Sequence, residues 1–276
     1  MRTVALPGGE AVPALGQGTW YMGERGGDLG KEADALRLGV DLGMSLIDTA
    51  EMYADGGAEE VVARAVAGIR DQVFIVSKVL PQNASRTGVP AACERSLKRL
   101  KTDRIDLYLL HWRGGYDLAE TVAAFGALQE AGKIRYWGVS NFDTGDMREL
   151  PDAAGCAANQ VLYHPDSRGI EFDLLPWCAD HRIPVMAYSP LSHNVRTLLG
   201  SSALQTVARR HNTTPAAVAI AWGLRGGSVI SIPKAADAAH VRENAGAGGI
   251  ALTPEDLVAI DAVHRPPKRK VALDLL

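Results

Sequence analysis

Short, mostly apolar runs alternate along the chain with longer amphipathic stretches. The apolar runs predict eight strands, over residues 14–18, 45–48, 73–78, 105–111, 134–140, 157–162, 184–188 and 229–232. Most lack the in–out alternation of a sheet with one wet face, so they read as strands covered on both sides. The stretches between them predict helices over residues 31–42, 58–67, 89–100, 118–131, 174–180 and 214–225. Residues 3–12 predict an N-terminal hairpin that turns at Pro7-Gly8-Gly9. Helix punctuation agrees: Thr253-Pro254-Glu255-Asp256 and Thr214-Pro215 start helices, and Gly43 and Gly132 stand where left-handed C-caps are wanted.

Eight β/α units in 276 residues favour a parallel (β/α)8 TIM barrel, an α/β fold, over an open doubly wound sheet. A dinucleotide-binding sheet needs G-x-G-x-x-G after its first strand, whereas Leu15-Gly16-Gln17-Gly18-Thr19-Trp20 supplies two glycines and then a bulky aromatic. No break in composition divides the chain, so residues 1–276 read as one domain.

Composition narrows the picture little further. Hydrophobic residues make up 47% and charged ones 22%, enough to bury a large core. A net charge of -3 gives no reason to expect nucleic acid or an anionic membrane as a partner. Lys268-Arg269-Lys270 reads as a solvated tail. Cys93, Cys156 and Cys178 have neither disulfide nor metal-ligand spacing and suit a reduced compartment. With no signal-like segment and no apolar run long enough to span a bilayer, a cytoplasmic monomer is expected.

The chemistry lies at the strand ends. Leu46-Ile47-Asp48 leads into a loop carrying Tyr53, Val73-Phe74-Ile75-Val76-Ser77 ends in Lys78, and Ile105-Asp106-Leu107-Tyr108-Leu109-Leu110 ends in His111. In a parallel barrel all strand C-termini open onto one face, where active sites are built, so these groups become neighbours. Singly each has a plain reading: a cap for Asp48, a snorkelling surface residue for Lys78, a satisfied core imidazole for His111, core or rim for Tyr53. Jointly they form an acid/base set. A free phenol near pKa ~10 donates poorly at neutral pH, and an ammonium beside it is expected to lower that value while a carboxylate holds the lysine charged. His111 can donate a hydrogen bond to a substrate oxygen.

The chain resembles the aldo-keto reductase superfamily over nearly its whole length. The likeness rests on Leu46-Ile47-Asp48-Thr49-Ala50-Glu51-Met52-Tyr53, Ser77-Lys78-Val79, Asp106-Leu107-Tyr108-Leu109-Leu110-His111-Trp112, Gly138-Val139-Ser140-Asn141-Phe142, Asn159-Gln160-Val161, Ala187-Tyr188-Ser189-Pro190-Leu191 and Ile232-Pro233-Lys234. It is most similar to compact bacterial members of methylglyoxal-reductase type, through residues 12–24 and Ser167-Arg168-Gly169-Ile170-Glu171. The resemblance implies that Tyr53 is the general acid, tuned by Lys78 and Asp48, with His111 orienting the substrate. It implies a nicotinamide cofactor across the barrel mouth. Ser140, Asn141 and Gln160 would hold its carboxamide, unless Gln160 is merely an interior hydrogen-bonder. Tyr188 would stack on the ring, and Ser189, Pro190 and Leu191 would pass over the pyrophosphate. Asp48, Gly18, Thr19, Trp20, Ile232 and Pro233 complete the expected cofactor contacts.

At the adenosine end the match departs from the family. Lys234 is followed by Ala235, and His240 stands where members preferring NADPH carry an arginine, while Glu243-Asn244 keeps the adenine-binding pair. NADPH is expected over NADH, which remains usable, with His240 aiding the phosphate grip when protonated. Short segments after His111 and Tyr188 suit small aldehydes and dicarbonyls, in a site walled by Trp20, Met22 and Trp112 or with those residues in plain packing. The alternative reading is a barrel that holds nucleotide as a slow redox sensor.

Overall fold

A computed structural model describes residues 2–276. The hairpin comes first: β1 (Thr3–Ala5) pairs antiparallel with β2 (Ala11–Pro13), Val4 opposite Val12. Gly9 turns it at φ +85°. Eight parallel strands follow in sequence order around one sheet. They are β3 (Gln17–Gly18), β4 (Leu46–Asp48), β5 (Phe74–Val79), β6 (Ile105–Leu110), β7 (Ile134–Ser140), β8 (Cys156–Leu162), β9 (Val185–Tyr188) and β10 (Val229–Ser231).

The sheet closes on itself. Leu15 bridges Ser231 and Gly18 bridges Lys234, both parallel. The Gly16 N–H donates to the Ser231 carbonyl at 2.8 Å, and the Ser231 N–H to the Ala14 carbonyl at 2.8 Å. The first predicted strand, 14–18, is therefore present, but its first half bonds to the last strand and, through the Ala14 N–H, to the Arg2 carbonyl at 2.9 Å, and β3 proper spans two residues.

Helices separate the strands: α1 (Leu29–Asp41), α2 (Gly57–Ala65), α3 (Gly88–Leu100), α4 (Leu118–Glu130), α5 (Thr144–Arg148) and α6 (Leu174–Asp180). After β9 come α7 (Val195–Leu199), α8 (Ser202–Arg210) and α9 (Pro215–Gly223), then α10 (Ala238–Ala247) and α11 (Pro254–Val263) after β10. Thr214 and Thr253 cap α9 and α11 through their side chains, with proline in each first turn. Gly43 and Gly132 adopt φ +94° and +69° just past α1 and α4. Helix α8 was not anticipated, although Ala203, Leu204, Val207 and Ala208 have helical spacing and are its buried face.

Both faces of the sheet are dry, which is why the strands read as continuous apolar runs. Alternate residues nevertheless split between two cores. Leu46, Leu107, Leu109, Met186 and Ile230 belong to one cluster, whereas Ile47, Tyr108, Leu110 and Val185 join the layer with Trp222 and Phe125 from the helices. Among the described residues no helix is long and apolar enough to cross a membrane.

One backbone crossing fixes the loop after β3. Gly23 sits at φ +74°, and a Cβ there would lie 2.3 Å from the carbonyl carbon of Gly57. Gly68 has a similar φ of +78° but open space around it. Gly68→Ala is expected to cost about 1–2 kcal/mol from strain alone. Gly23→Ala is expected to cost at least about 3 kcal/mol, because strain and a backbone clash combine. Denaturant midpoints compare them, and equal losses would show that the Gly23–Gly57 contact imposes nothing.

Candidate active site

The ends of β4 and β5 place Asp48 and Lys78 side by side, and His111 follows β6 with its N–H on the Val79 carbonyl at 3.0 Å. Lys78 is fully buried. Its Nζ donates to Asp48 Oδ2 at 2.7 Å, to the Thr49 carbonyl at 2.9 Å and to Tyr53 Oη at 3.1 Å. These use all three ammonium protons. Asp48 Oδ1 accepts from Gln160 Nε2 at 2.7 Å. With both oxygens accepting, Asp48 is a carboxylate paired to a cation.

Burial dominates the titration of this group. It raises Asp48 above its usual 3.8, against the opposing pull of Lys78 and Gln160. For Lys78 burial pushes downward, but Asp48 and Tyr53 outweigh it and the ammonium is held above its usual value. Tyr53 corrects the expectation from sequence. Burial raises it above 10.0, with Lys78 opposing and Asp48 adding to the rise, because the desolvation of a phenolate here exceeds the ammonium's attraction. His111 is pushed down to about 3 by burial and by the Lys78 charge, so its imidazole is neutral. Its Nδ1 is enclosed without a hydrogen-bond partner.

The loop carrying Tyr53 is held in an uncommon shape. Ala54, Asp55 and Gly56 follow it at φ +51°, +53° and +92°. Only glycine fits the last position, since a Cβ would lie 2.3 Å from Arg99 Nε. Arg99 is itself fixed by Glu59 at 2.6 Å, and Glu59 accepts the Ser77 hydroxyl at 2.6 Å. On the other side Glu51 accepts from the Leu80 N–H at 2.8 Å and Asn83 Nδ2 at 2.9 Å. Glu51 lay inside the Asp48–Tyr53 motif, but its anchoring partners follow β5, out of reach of local pattern.

These groups face a cavity of about 340 Å³. Its lining includes Asp48, Tyr53 and His111, and also Gly18, Thr19, Trp20, Trp112, Ser140, Asn141, Gln160, Tyr188, Ser189, Pro190, Leu191, Ile232, Pro233 and Lys234. Gly138 explains the shape of one wall. The pairing of β7 with β8 shifts register between Trp137 and Val139, and a Cβ at Gly138 would lie 2.5 Å from the Ala158 carbonyl oxygen. Just past this bulge Asn141 turns to φ +59°, donating from Nδ2 to the His111 carbonyl at 3.2 Å and accepting the Tyr188 hydroxyl at 3.0 Å. Ser140 Oγ donates to the Gln160 carbonyl at 2.9 Å.

Met22 does not wall this cavity. It is fully buried in the core with Leu36 and Val61. Tyr21 at φ +66° and Gly23 at φ +74° fold the chain so that Tyr21 faces the cavity and Met22 turns inward. Sequence reasoning missed Tyr21, Met52, Ser192, His193, Val195 and Leu276, which also line it. Leu276 returns from the far end of the chain with no local signal.

A protein-family model described as "Aldo/keto reductase family" matches residues 14–265. The chain belongs to the aldo/keto reductase family. It is 50% identical to methylglyoxal reductase YeaE of Escherichia coli over 281 aligned positions, covering 100% of this chain and 99% of that protein. It is 34% identical to glyoxal reductase of Bacillus subtilis, covering 95% and 93%. A crystal structure of an aldo/keto reductase from Klebsiella pneumoniae in complex with NADP and acetate superposes with a TM-score of 0.97 at 51% identity, covering 100% and 99%. The resemblance and the barrel expected from sequence are thereby established.

Against the aldo/keto reductase pattern, the adenosine-end candidates stand apart from the cavity. Lys234 lines its edge, whereas His240, Glu243 and Asn244 lie on α10, exposed, half-buried and buried respectively.

The buried ion pair makes a stability prediction. Lys78→Met leaves the Asp48 carboxylate buried without its cation and is expected to cost about 3–5 kcal/mol. Adding Asp48→Asn should recover part of that loss. Chemical denaturation checks both, and a double variant less stable than Lys78→Met would contradict the pairing.

Proposed function

We propose that the chain, acting as one barrel domain and as a monomer, is an NADPH-dependent reductase of small aldehydes, ketones and dicarbonyls such as methylglyoxal, with Tyr53 as the general acid. The observation that carries this reading is the Tyr53 hydroxyl, 3.1 Å from a buried lysine ammonium and lining the same cavity as His111. The names of the Escherichia coli and Bacillus subtilis relatives support the dicarbonyl class, and the NADP complex of the Klebsiella relative supports the cofactor.

The residues present fit a nicotinamide nucleotide. The Gln160 side-chain carbonyl lines the cavity and accepts no hydrogen bond among the described residues, which suits a carboxamide N–H. Ser140 and Asn141 stand beside it, Tyr188 offers a flat ring, and Lys234 offers a cation for phosphate. When bound, NADPH supplies the hydride that the carbonyl carbon accepts. Tyr53 gives its proton to the carbonyl oxygen as charge develops there. Lys78 stabilises the phenolate that remains, and Asp48 keeps Lys78 in place. His111, neutral, donates to the same oxygen through Nε2 in its Nε2–H tautomer. Water then reprotonates Tyr53. Trp20 and Trp112 flank an open mouth that suits small substrates.

Removing the proton donor tests the assignment. Tyr53→Phe is expected to lower kcat for methylglyoxal by roughly 10²–10⁴-fold while NADPH affinity, measured by fluorescence, is kept. Wild-type turnover in the variant would remove Tyr53 from the mechanism.

The pH profile follows from the shifts. Tyr53, raised above 10.0, keeps its proton through neutral pH, and His111, lowered to about 3, stays neutral. The rate of carbonyl reduction is therefore expected to be flat from about pH 5 to about pH 9 and to fall only on the alkaline side. A rate that halves between pH 6 and 8 would contradict this protonation scheme.

A further inference from the structure

Away from the barrel mouth, three residues from distant parts of the chain meet in a hydrogen-bonded row. The Ser201 hydroxyl lies 2.7 Å from His264 Nε2, and His264 Nδ1 lies 2.6 Å from Asp166 Oδ1. Asp166 follows β8, Ser201 joins α7 to α8, and His264 closes α11. We propose that this row is a second catalytic site, for the hydrolysis of small carboxylic esters with Ser201 as nucleophile.

The atoms fall in the order this chemistry needs. A carboxylate on Nδ1 fixes the neutral imidazole as the Nδ1–H tautomer, which leaves Nε2 as an acceptor. Ser201 then donates its proton to Nε2 and is placed for base activation. The imidazole is buried, while Ser201 is part-exposed and reaches solvent.

A second feature concerns the serine itself. Ser201 is the N-cap residue of α8, a nine-residue helix, yet its side chain caps nothing. An N-cap serine ordinarily accepts an N–H of the first turn. Here the hydroxyl is turned to the imidazole, and the N–H groups of Ser202, Ala203 and Leu204 have no acceptor among the described residues. Donors so close behind a nucleophile can stabilise an oxyanion. Asp166 and His264 also line a cavity of about 340 Å³ with Arg168, Arg265, Pro267, Val271 and Asp274, on the Asp166 side of the row, and Ser201 stands outside that lining.

Other bonds also brace this part of the chain. Arg168 donates to the His264 carbonyl and to Asp261, and Ser167 donates to Asp274 at 2.6 Å. These bonds hold the segment after α11 without the imidazole.

In the proposed reaction Ser201 Oγ attacks the ester carbonyl carbon as its proton passes to His264. The tetrahedral intermediate collapses, and the imidazolium returns that proton to the departing alcohol. Water then attacks the acyl-serine, again deprotonated by His264, releasing the acid and restoring the hydroxyl.

The test uses the full chain with a fluorophosphonate probe and p-nitrophenyl acetate. The expected result is covalent label mapped by peptide mass spectrometry to Ser201. Ester hydrolysis should fall roughly 10²-fold in Ser201→Ala and in Asp166→Asn. Methylglyoxal reduction and thermal unfolding, followed in parallel, report that the variants fold. Label absent from Ser201, label on another residue, or hydrolysis unchanged in Ser201→Ala would each overturn the proposal and make the row a structural brace.

Discussion

The site is organised around one ammonium group kept wholly out of water. A lysine head without solvent is tolerable only when its charge is paired and each of its protons finds an oxygen. For Lys78 those oxygens come from Asp48 at the neighbouring strand end, from the Thr49 backbone and from the Tyr53 hydroxyl. Satisfying them fixes the relative position of β4 and β5 at their ends and brings the Tyr53 loop down onto the barrel. Burial, joined by the same charge, holds the nearby imidazole neutral. The requirements of one buried cation thus tie together the Lys78, Asp48 and Tyr53 side chains, and three left-handed residues follow Tyr53.

Much of this was legible in the sequence because a parallel barrel is written in short-range features. Each strand is a local apolar run whose C-terminal end opens onto the mouth, so Asp48, Lys78 and His111 could be placed together from the sequence. The sequence reading failed where a long-range or desolvation effect decides. Met22 looked like a pocket wall by its nearness to Trp20, but two positive-φ positions reverse the chain around it. Leu276 joins the mouth from the opposite end of the sequence. The direction of the Tyr53 shift depends on how completely the phenol is buried, which charge pattern alone does not reveal.

The rim of the mouth differs in kind from its base. The base is strand ends and tight hydrogen bonds, whereas the rim is drawn from loops that carry Trp20, Tyr21, Met52, Trp112 and His193. Trp20 stacks on Tyr21 at 4.6 Å, and Tyr53 meets His111 edge-on at 5.9 Å. Loops on a rigid scaffold are where substrate preference is expected to vary between relatives, while the buried ion pair ties the base to one arrangement.

The closure of the sheet has a consequence for how the molecule forms. Leu15 and Gly18 find their partners at Ser231 and Lys234, more than two hundred residues downstream. Pairings of such sequence separation carry a large loop-closure entropy and slow folding. Before that seam zips, β3 and β10 are unprotected edges, open to pairing with other chains. Gly18 and Lys234 face each other across the seam and also line the mouth. A chain emerging from the ribosome therefore builds its acid/base residues early, yet gains an enclosed cleft only when its final quarter arrives.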